Sequence, residues 1–147
     1  AKAAGAEDCG CNKRRKTLKF KRHLEKVLQR PSASTEFNTN MHCITSWYDH
    51  YNSAIFDNKL PKFDDIKIKR INGAFGQVVY TVYKTKPCHY TLEMLPKYPT
   101  KKIFLETLVH EMIHLYQMKL RNNTGNHNKL FYSFKNRLNY LGLQLSR

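Results

Sequence analysis

Apolar positions recur along this chain at two spacings, and the change from one to the other divides it. Phe20, Leu24, Val27 and Leu28 fall three and four apart, the helical period, and predict a basic amphipathic helix over Thr17–Arg30. Pro31-Ser32-Ala33-Ser34 interrupts that run as a linker or turn, with a cap signal at Ser34 or Thr35. Phe37, Met41, Ile44, Tyr48, Tyr51 and Ile55 make a second helical stripe, so a helix is expected over 35–56, ending near Asp57-Asn58-Lys59-Leu60-Pro61. The period then falls to two. Ile66 to Ile71 alternates like a strand, Asn72 to Gly76 reads as a turn, and Val78–Tyr83 and Cys88–Leu95 read as two further strands. Pro96 and Pro99 close the last of these. From Lys101 to about Leu120 the helical period returns. Arg121–Asn126 is a polar loop with Gly125, and His127, Phe131, Phe134, Leu138 and Leu141 form a last helical stripe. The pattern predicts an α+β domain in which helices pack on one small sheet built from 66–95, with Ile44, Tyr48, Leu108 and Phe134 in the core. Residues 1–34 stand apart as a basic N-terminal extension, a mobile tail over 1–12 followed by the amphipathic helix, ahead of a domain over 35–147.

The helix expected at 101–120 contains His110-Glu111-Met112-Ile113-His114. Residues four apart on a helix share one face. Both imidazoles can therefore grip one Zn²⁺, with Glu111 beside them to take a proton from the attacking water. A catalytic zinc wants three protein ligands and one open position. Glu111 is the last acidic residue of the chain, which excludes a downstream carboxylate ligand. The longer form H-E-x-x-H-x-x-G-x-x-H also fails, because Gln117 stands at its glycine and Leu120 at its third histidine. The histidine that follows His114 is His127, and a helix returning antiparallel to the motif helix would carry it to the metal. The expected site is Zn²⁺ on His110, His114 and His127, with Glu111 as general base. An oxyanion stabiliser is also needed, and Tyr116 and Tyr132 are among the tyrosines that spacing alone does not separate. His23, His42, His50 and His89 are expected to be structural or exposed.

The formal charge of +15 narrows the partners. Residues 1–30 hold ten Lys and Arg against three acids, crowded into Lys13, Arg14, Arg15, Lys16, Lys19, Lys21, Arg22 and Lys26. Such a field favours a polyanion, nucleic acid above all, held without base specificity. No apolar run reaches the ~18 residues of a membrane helix, and the first residues have no secretory apolar core. Cys9 and Cys11 are too close for an ordinary bridge, and with Cys43 and Cys88 they form no C-x-x-C pair. A disulfide scaffold or zinc ribbon is not expected, and a reducing, intracellular setting is.

From about Thr35 to Leu143 the chain resembles the SprT-like domain, the metalloprotease core of the Spartan proteases. Trp47 to Asn52 with Phe56 to Pro61 resembles that family's opening helix and its exit. Ile71 to Gly76 resembles its strand and turn, and Cys88 to Leu92 the strand before the motif helix. Leu105 to His114 is very close to its signature, and Gly125 to Phe131 resembles its third-ligand segment. Asn128 departs from it, standing where the family usually has glycine. The resemblance implies a zincin-like core with an H-E-x-x-H active-site helix and a C-terminal helix. It also implies a zinc-dependent endopeptidase with a protein substrate, and the basic segment directs that activity to nucleic-acid-associated proteins. The setting expected is cytoplasmic or nucleoid-associated, or virion-associated if the source is a phage. The alternative is a non-enzymatic nucleic-acid-binding or virion-associated module whose zinc site is structural; Glu111 separates the two, because a structural site has no use for it. A metal-dependent hydrolase of a non-peptide bond is the other alternative.

Overall fold

The structure, a computed structural model, describes residues 4–145, with side chains from Arg15 onward. Its elements are α1 (Ala4–Gln29), a 3₁₀ turn at Pro31–Ser34, β1 (Phe37–Asn38), α2 (Met41–Ile55), β2 (Asp65–Ile68), β3 (Gly76–Thr81), β4 (His89–Met94), β5 (Lys97–Tyr98), α3 (Lys101–Leu115), a π-helical turn at Tyr116–Leu120, α4 (Lys129–Tyr132) and α5 (Lys135–Tyr140). The architecture is mixed α+β, as the change of period implies. The side chains of Cys9, Cys11, Lys13 and Arg14 lie outside the described residues.

One three-stranded sheet, ordered β2-β4-β3, carries the middle of the chain. β2 runs parallel to β4, with Ile66 opposite Leu92, and β3 runs antiparallel to it, with Val78 opposite Leu92. Because side chains alternate along a strand, Leu92, Met94, Ile66, Ile68 and Val78 share the face that packs on α3. Asp64 locks the parallel pair at its start: its carboxylate accepts from Tyr90 N at 2.7 Å, and its own amide donates to Tyr90 O at 2.9 Å.

α3 is buried on nearly every side. Phe104, Leu105, Leu108, Val109, Met112, Ile113 and Leu115 are fully inaccessible, which marks a central helix rather than a surface one. The Thr100 hydroxyl accepts from Ile103 N at 3.2 Å and caps its start. Gly76 lets β3 lie close against it, since a Cβ there would stand 2.7 Å from Thr107 Cγ2. Ile44, Tyr48, Leu108 and Phe134 are all buried, as expected.

Several boundaries differ from the pattern reading. α1 begins at Ala4 rather than Thr17, so helix replaces the tail read over much of 1–12. α2 begins at Met41 rather than residue 35, because the Asn40 side chain caps it by accepting from Cys43 N at 2.8 Å. Phe37 belongs to β1 instead, opposite Tyr98 of β5. The last helical stripe is two short helices broken at Ser133–Phe134, not one.

α1 is packed onto the domain. Phe20, Leu24 and Val27 are buried in the same core as α2 and α3. Phe20 meets Tyr51 and Trp47 edge-on, with ring centroids 5.6 and 6.4 Å apart. Removing residues 1–30 would therefore uncover Trp47 and Tyr51 as well as discard charge.

Candidate metal centre

On α3 a stripe four residues apart, Glu106, His110 and His114, escapes the apolar packing and opens onto a cleft. The facing wall is β3 with the turn before it, and Thr124–His127 closes one end. The cleft measures about 1050 Å³, at the upper end of the range for small-molecule pockets.

The polar loop brings His127 back onto α3. His127 Nε2 lies 3.2 Å from His110 Nε2 and 3.2 Å from His114 Nε2. The three histidines offer ligand atoms that all fall within 4.8 Å of one another. Nitrogens held ~2.0–2.1 Å from one tetrahedral zinc would be about 3.3 Å apart, so both separations from His127 fit that ion. Phe131 is the floor beneath them. It is fully buried, and its ring lies 4.9, 4.9 and 4.6 Å from the rings of His110, His114 and His127.

Glu111 sits behind this cluster at 5% exposure, its Oε2 4.0 Å from His110 Nε2. Burial pushes its carboxyl up to about 8. A divalent ion on the histidines would act in the other direction, because a nearby positive charge favours the carboxylate. Burial also lowers the pKa of His114, keeping that ring neutral and able to ligate.

Behind His114 stands Gln117, a residue whose place in the sequence served only to rule out a longer motif. It is fully buried on the π-helical turn, with Oε1 2.9 Å from His114 Nδ1. Tyr116 and Tyr132 do not line the cleft. Tyr116 packs between Phe56 and Phe134, and Tyr132 lies edge-on to Phe131. Tyr80 on β3 is the tyrosine found in the cleft wall. The other histidines are elsewhere: His89 lies 3.5 Å from the Thr91 hydroxyl, and His23 and His50 flank Trp47.

The model of the SprT-like family matches residues 44–146, most of the chain. The chain belongs to the SprT-like family. The SprT-like match takes in all but the first turn of α2, the three-stranded sheet, α3 and all three clustered histidines, and leaves α1 and β1 outside. SprT-like domains are zincin-like, typically metal-dependent, and associated with zinc metallopeptidase-type activity. A search of curated proteins returned no match. Asn128, the departure from the usual SprT-like glycine, has an extended backbone here, φ −106° and ψ −167°, which asparagine adopts without strain. Its side chain accepts from Phe131 N and caps α4.

The basic residues of α1 are not part of this centre. Arg15, Lys16, Lys19, Arg22 and Lys26 are exposed, and Lys21 is half-buried with its ammonium 4.5 Å over the Tyr140 ring. Among the described residues no helix is long and apolar enough to cross a membrane.

Proposed function

We propose that this chain is a zinc-dependent endopeptidase, with His110, His114 and His127 as the ligands and Glu111 as the general base. The observation that carries the reading is the convergence of three histidine nitrogens beside a buried carboxylate at the floor of an open cleft. Zn²⁺ held there would polarise a scissile carbonyl and acidify the attacking water. Glu111 takes the proton from that water and hands it to the leaving amine. β3 supplies the means to hold a peptide. It is an edge of its sheet and forms one wall of the cleft, so its outer N–H and C=O groups are available to an extended chain. The test is to incubate zinc-loaded protein with a basic or nucleic-acid-bound protein and look for new peptide termini by mass spectrometry. Metal-loaded protein that generates none, from any protein offered, refutes the endopeptidase reading.

We infer as well that α1 tethers this activity to nucleic acid. Its apolar strip is used up on Trp47 and Tyr51, which leaves Arg15, Lys16, Lys19, Arg22 and Lys26 facing outward. Lys13 and Arg14 extend the same basic run in sequence. At the seam of α1 and α2, His23 stacks on Trp47 with ring centroids 5.4 Å apart. Partial burial lowers its pKa, and His50, Arg30, Lys101 and Lys26 lower it further. Positive charge gathered on one outward face is what a phosphate backbone neutralises. Changing Lys16, Lys19, Arg22 and Lys26 together to glutamine should weaken duplex DNA binding. The log–log salt slope should become shallower by roughly 0.9 for each phosphate that the variant no longer neutralises. These side chains are exposed, so folding and zinc content should not change. Equal binding by the variant at every salt concentration would refute the tether.

A further inference from the structure

Gln117 has two ends, and their partners decide which way its amide points. The Nε2 lies 2.8 Å from the Asn126 carbonyl oxygen and 3.0 Å from Asn128 Oδ1. A carbonyl oxygen only accepts, so the NH₂ group must face Asn126, and Oε1 must face His114. An amide oxygen also only accepts. The ring proton of His114 is therefore on Nδ1, 2.9 Å from that oxygen, and Nε2 keeps its lone pair. That lone pair is on the nitrogen 3.2 Å from His127 Nε2.

The same amide holds the loop. Asn126 and Asn128 bracket His127, and Gln117 binds both. Its main chain adds a third tie, since Asn123 N donates to Gln117 O at 2.7 Å. Asn128 carries the connection onward, its Nδ2 donating to Asn123 Oδ1 at 2.8 Å. Gln117 lies on the π-helical turn. Arg121 N bonds back five residues to Tyr116 O, and within that wider turn Gln117 sits three residues after His114 on the same side.

We propose that Gln117 is a positioning residue whose one amide both fixes His114 in its Nε2-ligating tautomer and fastens the loop that presents His127. This role rests on the metal reading of the three histidines and not on which bond is cleaved.

The test compares wild type with Gln117→Leu and Gln117→Glu. Zinc affinity is read by chelator competition, the His114 tautomer by nitrogen NMR of the metal-free protein, and loop order by amide exchange over residues 121–128. Leucine removes both functions. It should weaken zinc binding 10–100-fold, weaken the Nδ1–H preference of His114, whose ring the Gly125 backbone also hydrogen-bonds, and speed exchange across the loop. Glutamate keeps an acceptor for His114 but loses the donor to Asn126. It should preserve the tautomer while the loop still exchanges faster. If Gln117→Leu binds zinc as tightly as wild type with unchanged loop exchange, the proposal is overturned. If glutamate leaves the loop as protected as in wild type, the fastening half is overturned. Should leucine prevent folding, Asn128→Ala tests the same fastening from a half-buried position, with faster loop exchange and weaker zinc binding expected and wild-type values refuting it. Wild-type protein that binds no zinc refutes the metal reading itself, a result separate from any of these.

Discussion

Glu111→Gln should keep the fold and the zinc while losing about 10²–10⁴ in turnover, the usual cost of removing a general base. The side chain is 5% exposed and behind the three histidines rather than among them, so an amide of the same shape fits the space. What the amide lacks is the ability to accept a proton. Folding itself should not suffer. A carboxyl pushed up to about 8 by burial is costly to ionise in the metal-free protein, and a neutral amide has no such cost. The comparison needs turnover on a protein substrate, zinc content and a melting curve for both proteins. If the variant turns over as fast as wild type at equal zinc content, Glu111 is not the base.

His127→Ala should have the largest effect on the metal. His110 and His114 come from one turn of α3, and two imidazoles on a helix leave half of a tetrahedral site empty. The third nitrogen, 3.2 Å from each of the others, arrives from a loop that follows the helix. Its loss should exceed the 10–100-fold drop in affinity typical of removing a residue that merely supports a ligand. Ligand linkage gives a second readout. Free zinc at 100 times its dissociation constant stabilises a protein by about 2.7 kcal/mol, several degrees of melting temperature for a chain of this size. Wild type should show that shift, and His127→Ala should lose most of it at the same zinc concentration. His89→Ala, changed on β4 beside Thr91, should retain it. A metal-bound structure with His127 away from the other two rings would remove it from the ligand set.

Much of the candidate centre is legible in the sequence, for a chemical reason. Metal ligands come from few residue types, and this chain runs out of acids at Glu111 and has a single histidine beyond His114. The positions of His110, Glu111 and His114 follow from local helix geometry. That of His127 needed only a loop able to turn back. Gln117 was not legible as a partner, because many helical pairs share its three-residue spacing and its other contacts, Asn126 and Asn128, come from a loop. The start of α2 was misread for a related reason. Phe37 has the right spacing to extend the stripe of Met41 and Ile44, but its partner is Tyr98, far along the chain. The docking of α1 on Trp47 and Tyr51 was left open by an apolar strip that suits a core and a separate partner equally.

β3 has one further consequence. Its outer edge carries unpaired backbone groups, and Val79, Tyr80 and Val82 in and beside it are 42%, 55% and 69% exposed. Such an edge does not distinguish a peptide from the β3 of a second molecule. What separates copies is their common charge of +15, a repulsion that reaches only about 10 Å at 0.1 M salt and shortens as salt rises. The colloidal behaviour of this protein is thus tied to ionic strength. Light scattering that grows with added salt, and that a charged residue at Val79 suppresses, would mark the β3 edge as the aggregation-prone one; scattering indifferent to that substitution would place the self-association elsewhere.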